Sequence, residues 1–120
     1  MASILVIEDY EAYGEVVVRL LRHAGHEVTL CRTASAAVQA LEGDGTDLVI
    51  ADLFLPDKPG LDLIAELRNL HPRLPLIAMT GRDAGHLESA LRLGVVQVLK
   101  KPFRSNALLE AVTAALRQPF

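Results

Sequence analysis

A chain of 120 residues and 13.0 kDa has room for one globular domain, so a fused DNA-binding or catalytic module is not expected within it. Hydrophobic residues make up 51% and charged residues 22%, enough apolar side chain for a full core and too much for a disordered segment. Twelve Lys plus Arg against fifteen Asp plus Glu leave a net charge of −3, which argues against a broad phosphate-binding face and so against direct nucleic-acid binding.

The single cysteine, Cys31, rules out an intramolecular disulfide and a Cys-rich zinc site, and its apolar surroundings predict that it is simply buried. The chain opens MASILVIEDY, where four apolar residues, Ile4 to Ile7, meet two acids at once, unlike a signal peptide. No stretch reaches the roughly 18 apolar residues of a membrane span. A cytoplasmic location with no membrane partner is the expectation.

Short apolar runs alternate five times with segments of helical spacing. The first strand is predicted over Ile4 to Ile7. A helix follows from Tyr10 to Ala24, with Tyr13, Val16, Val17, Leu20 and Leu21 as its apolar stripe and Gly25 as a left-handed cap. The second strand, Glu27 to Cys31, alternates polar and apolar residues and is placed at a sheet edge. An alanine-rich helix from Thr33 to Leu41 is stopped by the turn Gly43-Asp44-Gly45, which lacks the lysine pattern of a phosphate loop. The third strand is Leu48 to Ala51. Its helix runs from Leu61 to Leu70, with Leu61, Ile64, Leu67 and Leu70 on one side, Pro59 ahead and Pro72 behind. The fourth strand is Leu76 to Met79, followed by a helix from Asp83 to Leu93 that stops at Gly94. The fifth is Val95 to Leu99, and the last helix runs from Ser105, read as a capping residue, to Gln118. This is an α/β chain of five βα units.

Parallel strands joined by right-handed crossovers bring their carboxyl ends to one rim of the sheet. Glu8 and Asp9, Asp52, Thr80, and Lys100 with Lys101 all stand at strand ends. Carboxylates gathered at one spot repel, and without a cation at least one would have its pKa raised until it stayed protonated. Oxygen ligands with no His or Cys nearby favour a hard divalent ion, Mg²⁺ or Mn²⁺, which usually escorts phosphate. Lys101 suits a phosphoryl oxygen as a point charge and the Thr80 hydroxyl can donate to another, which leaves Asp52 as a nucleophile able to form an acyl phosphate. Strand alternation points Lys100 and Lys101 apart. Asp57 competes with Asp52 only weakly, because Pro56-Asp57-Lys58-Pro59-Gly60 reads as a turn with a solvated acid. His23, His26, His71 and His86 share no spacing that would gather them as metal ligands.

In this order and spacing, Glu8-Asp9, Asp52-Leu53-Phe54-Leu55-Pro56 with Gly60, Thr80-Gly81 and Lys101-Pro102-Phe103 make the chain resemble a receiver domain of a two-component response regulator, the CheY-like group. The resemblance covers essentially the whole chain. It implies a flavodoxin-like doubly wound sheet with strand order 2-1-3-4-5, residues 1–120 forming a single receiver domain with no output domain in this chain. It implies that Asp52 is the phosphoacceptor and that Glu8, Asp9, Asp52 and the Phe54 main-chain carbonyl organise Mg²⁺. Thr80 and Lys101 would contact the phosphoryl oxygens, and the Lys101-Pro102 bond would be cis. The implied donor is a histidine kinase, a phosphotransfer protein or a small acyl phosphate, and the implied output is binding to a downstream protein target or a second copy in a homodimer. Such a domain acts on itself, taking and losing the phosphoryl group, and is not an enzyme with a released product.

Two features depart from the family pattern. Val98 stands where the fifth strand usually carries an inward-turning aromatic, so the expected signal passes by backbone shift and valine packing. Val95-Val96-Gln97 replaces the common acids before that strand. Phe54 and Arg82 flank the phosphoryl group by resemblance, so Arg82→Ala is expected to change the lifetime of the phosphoryl group. Two other readings stay open: a receiver-like interaction domain acting without phosphorylation, and a small Mg²⁺-dependent phosphohydrolase, which would need a covering cap and a second acid to activate water.

Overall fold

Each apolar run becomes a strand and each amphipathic segment a helix: β1 (Ser3–Ile7), α1 (Glu11–His23), β2 (Glu27–Cys31), α2 (Ala34–Ala40), β3 (Leu48–Asp52), α3 (Gly60–Leu70), β4 (Leu76–Thr80), α4 (Ala84–Arg92), β5 (Gln97–Lys100) and α5 (Ser105–Leu116). The computed structural model describes residues 2–43, 45–81 and 84–117. The sequence expectations for Arg82, Asp83 and Gln118, and for Asp44 within its turn, lie outside the described residues.

All strand pairs are parallel, in the order β2-β1-β3-β4-β5, which places β2 at an edge as its mixed pattern predicts. The inner strands β3 and β4 are buried along their whole length because helices cover both faces. Side-chain alternation divides the core in two. Leu5, Ile7, Val49, Ala51, Leu76 and Ala78 pack with α2, α3 and α4, while Ile4, Val6, Leu48, Ile50, Ile77, Met79 and Leu99 pack with α1 and α5.

The helix faces differ from those read in the sequence. α1 buries Gly14, Val17, Val18 and Leu21 and leaves Val16 48% exposed. α3 buries Gly60, Leu63, Ile64 and Leu67 and leaves Leu70 55% exposed. In both helices the apolar residues span more than one face, and contact with the sheet selects a stripe rotated from the expected one. β5 starts at Gln97 rather than Val95. Gly94, at φ 97°, and Val95 close α4 instead, with the Gly94 amide donating to the Leu91 carbonyl (3.0 Å) and the Val95 amide to the Ala90 carbonyl (3.2 Å). An apolar residue after the glycine commonly accompanies this pair of hydrogen bonds, and Val95 fills the role at 5% exposure. Gly25, at φ 97°, ends α1 in the left-handed conformation, as predicted. Ser105 is the first helical residue of α5, not its cap. Arg104, with extended backbone, takes the cap position without a side-chain bond.

Arg68 ties the rear of the sheet together. Its Nη1 donates to the carbonyls of Pro72 (2.9 Å) and Leu74 (3.0 Å), and its Nη2 to that of Gly94 (2.9 Å), so one guanidinium holds the turns after α3 and α4. Arg68→Ala is expected to cost about 2 kcal/mol in chemical denaturation, with Arg68→Lys recovering only part, since an ammonium lacks the planar fork.

Candidate functional site

Continuing the alternation of β1, β3 and β5 past their apolar residues places Glu8, Asp52 and Lys101 on the same side of the sheet, the side covered by α1 and α5. Lys101 Nζ donates to Asp52 Oδ2 at 2.7 Å and also pairs with Glu8 Oε1, so one ammonium bridges two strand ends. Glu8, Asp9 and Asp52 bring carboxylate oxygens within 4.8 Å of one another. Glu8 is 1% and Asp52 6% exposed, while Asp9 is only half-buried, leaving the cluster reachable from the rim. Lys100 is exposed and Lys101 turns inward, as alternation predicts.

Backbone contacts fix these groups. The Glu8 amide donates to the Cys31 carbonyl at 2.9 Å, extending the β1–β2 ladder by one bond. The Phe54 amide donates to Asp52 Oδ1 at 2.9 Å, so Asp52 has one oxygen held by its own loop and the other by Lys101. Thr80, fully buried, ends β4, and its carbonyl accepts from the Lys101 amide at 2.8 Å. The Lys101-Pro102 peptide is cis, as the resemblance implied. Val98, paired with Ala78, packs with the α2–α4 side of the core.

The electrostatics follow from burial. Desolvation first, then the approach of Asp52, push the Glu8 carboxyl from about 4.5 to about 7, against the pull of Lys101. Burial works against the charge on Lys101, but its hydrogen bonds to Asp52 and Glu8 outweigh that, and its pKa stands above the ordinary value. The acid conflict expected from the sequence is thus partly relieved by an internal cation and partly by a proton. An all-oxygen set of three acids at one open rim suits a hard divalent ion.

Sequence reasoning missed two residues. Tyr13 lies against the site: Lys101 Nζ sits 4.4 Å from its ring centroid. Its signal was an aromatic one turn into the helix that follows the acid pair, matched by Phe103 just after Lys101-Pro102. Asp57 is more than a solvated turn acid, because its two oxygens accept from the Ala34 (2.9 Å) and Ser35 (3.0 Å) amides and cap α2 from the loop after β3. Those two amide bonds hold its carboxyl below the usual range.

The family model for the response regulator receiver domain matches residues 4–113. Among curated proteins, the chain is 32% identical over 120 residues to the sensory transduction protein RegX3 of Mycolicibacterium smegmatis, covering 98% of this chain and 52% of that protein. It is 36% identical over 115 residues to nodulation protein W of Bradyrhizobium diazoefficiens, covering 95% and 51%. Among solved structures, the non-phosphorylated HemR receiver domain of Leptospira biflexa superposes with a TM-score of 0.91 at 27% identity, covering 100% of this chain and 98% of that one. The NtrX receiver domain of Brucella abortus does so with a TM-score of 0.89 at 30% identity, covering 97% and 99%.

The chain belongs to the response regulator receiver domain family, with the flavodoxin-like, CheY-type fold, and is a signalling domain of two-component systems. It spans about half the length of the RegX3 and nodulation protein W relatives. A further relative is named a probable transcriptional regulatory protein, so the expectation of no nucleic-acid contact does not extend to whole proteins of this kind. Receiver domains of this family take a phosphoryl group from histidine kinases and bind Mg²⁺ in their acidic pocket. No helix among the described residues is long and apolar enough to cross a membrane.

Proposed function

We propose that Asp52 accepts a phosphoryl group, and that residues 1–120 act as one receiver unit in the cytoplasm, switching contact with a downstream protein or a second copy. The observation that carries this reading is the Lys101 ammonium bridging Glu8 and Asp52 at an open rim with Asp9 in reach. Glu8, Asp9, Asp52 and the Phe54 carbonyl are the residues that would hold Mg²⁺, which when bound supplies positive charge against the acids and the incoming phosphoryl oxygens.

An Asp52 carboxylate oxygen forms the new bond to phosphorus as the donor's P–N bond breaks, or the P–O bond of a small acyl phosphate. The electron pair leaves with the donor, and an imidazole donor takes its proton from solvent. The Phe54 amide orients the carboxylate through Oδ1. Lys101 leaves Asp52 Oδ2 to meet a phosphoryl oxygen, and Thr80 donates its hydroxyl to another. Water later cleaves the acyl phosphate, so the domain resets itself and is not an enzyme with a separate substrate. The short connection between β3 and α3 and the gathering of Glu8, Asp9, Asp52 and Lys101 support this reading over a capped phosphohydrolase or a module acting without phosphorylation.

The test is intact mass after incubation with acetyl phosphate and Mg²⁺. A single base-labile adduct is expected in the wild-type chain and none in Asp52→Asn. An adduct that survives the substitution overturns the assignment of Asp52.

A further inference from the structure

Lys101 meets an aromatic ring as well as two carboxyl groups. Its ammonium touches Glu8 and Asp52 and lies 4.4 Å above the Tyr13 ring centroid. The Tyr13 ring is in turn set perpendicular to Phe103, at 5.8 Å between centroids and 89° between planes. Tyr13 comes from α1, and Phe103 follows Lys101 and Pro102 in the chain. Phe103 thus braces the Tyr13 ring, and Tyr13 faces the ammonium. Both pack with the α1–α5 side of the core, the side on which Glu8 and Asp52 end.

We propose that Tyr13 is a positioning residue for phosphoryl transfer, its ring face holding the Lys101 ammonium at the mouth of the acid cluster while the ammonium exchanges one anion for another. This deepens the reading of Asp52 as phosphoacceptor and rests on it for its functional consequence. The physical reason lies in what Lys101 has to do. A flexible four-carbon chain released from Asp52 regains its rotamer freedom and can swing into solvent. An aromatic face attracts the cation in the resting state and in the phosphorylated state alike, and does so more strongly where water is largely excluded. Tyr13 is half-buried, so the contact has that advantage. Because the attraction comes from the ring face, the hydroxyl is dispensable.

The experiment compares the wild-type chain with Tyr13→Phe and Tyr13→Leu by two measurements. In the first, without metal or phosphodonor, the NMR shifts of the Lys101 side-chain Hε protons report on the ring. They are expected upfield in wild type and Tyr13→Phe and at ordinary positions in Tyr13→Leu. In the second, the initial rate of phosphorylation by acetyl phosphate with Mg²⁺ is expected within about twofold of wild type for Tyr13→Phe and about fivefold lower for Tyr13→Leu. A Leu variant as fast as wild type, or a Phe variant as slow as the Leu variant, overturns the proposal. If the Leu variant fails to fold by circular dichroism, Tyr13→Met takes its place with the same expectations. A wild-type chain that takes no phosphoryl group from acetyl phosphate refutes the small acyl phosphate as a donor instead. The shifts then decide the placement alone, and an unshifted Lys101 overturns it.

Discussion

Gly60→Ala is expected to destabilise the protein by about 3–5 kcal/mol, read from denaturant unfolding. Alanine is the better helix former by about 1 kcal/mol, and Gly60 opens α3, so propensity alone predicts a gain. Sterics decide the other way. A Cβ on Gly60 would lie 2.2 Å from the Leu53 Cα and 2.5 Å from the Leu53 carbonyl oxygen, both rigid backbone at the end of β3. The same approach lets the Gly60 amide donate to that carbonyl at 2.9 Å, and a bridge between Phe54 and Pro59 closes the loop inside it. Making room for a methyl group opens this loop, and with it the Phe54 amide contact that orients Asp52. The variant should therefore lose phosphorylation rate as well as stability. Gly43→Ala is the control, because nothing lies within 4 Å of its Cβ, and it should be near neutral. Equal effects of the two substitutions would contradict the close approach.

That glycine shows what was and was not legible in the sequence. Its spacing from Asp52 was visible, but its reason, a backbone contact across a loop, is a tertiary fact. Strand identity was legible because buried parallel strands are apolar throughout and short, which few other elements imitate. Strand ends were less so: Val95 has the same side chain whether it extends β5 or plugs the end of α4, and only the bond from its amide to Ala90 distinguishes them. Helix faces failed for a related reason. In α1, Val16, Val17 and Val18 are chemically identical, and contact with the sheet buries the last two and exposes the first.

The cluster was legible in its acids and its lysine, since strand ends converge in any sheet of this winding and bring Glu8, Asp9, Asp52 and Lys101 together. Their shared face was also available from alternation, because Glu8, Asp52 and Lys101 each fall two residues beyond a side chain, Val6, Ile50 or Leu99, that packs with α1 and α5. Tyr13 was not, because it entered as one more residue of an apolar stripe. Its contact with Lys101 depends on how α1 is rotated over the sheet, which no periodicity fixes.

Lys101→Met is expected to lose about 3 kcal/mol of stability at pH 8 and about 1 kcal/mol less than that near pH 5, with Mg²⁺ restoring most of the loss at the higher pH. The ammonium is the cation paired with Glu8 and Asp52, whose side chains are 1% and 9% exposed. Removing it leaves carboxylates within 4.8 Å of one another at a largely desolvated spot. The cost of that depends on whether Glu8 is ionised. Its carboxyl titrates at about 7 when folded, against an ordinary 4.5, so between those values the folded chain keeps a proton that the unfolded chain has released. Stability linked to Glu8 therefore falls as pH rises across that window. Lys101 has the same sign in a higher window, since its raised pKa adds stability that is lost only as pH climbs past its ordinary 10.5. Without Lys101 the Glu8 carboxyl is raised further, so the variant and the wild-type chain both hold the proton at pH 5, while toward pH 8 the wild-type chain releases it and the variant does not, which widens the gap between them. With Glu8 in the proposed ligand set, a divalent ion takes it ionised, so even in the wild-type chain the thermal stabilisation by Mg²⁺ should grow from pH 6 to pH 8. A loss in Lys101→Met that is the same at both pH values, or one that Mg²⁺ does not repair, would show that the ammonium serves the fold by packing and not as counter-ion to the acid cluster.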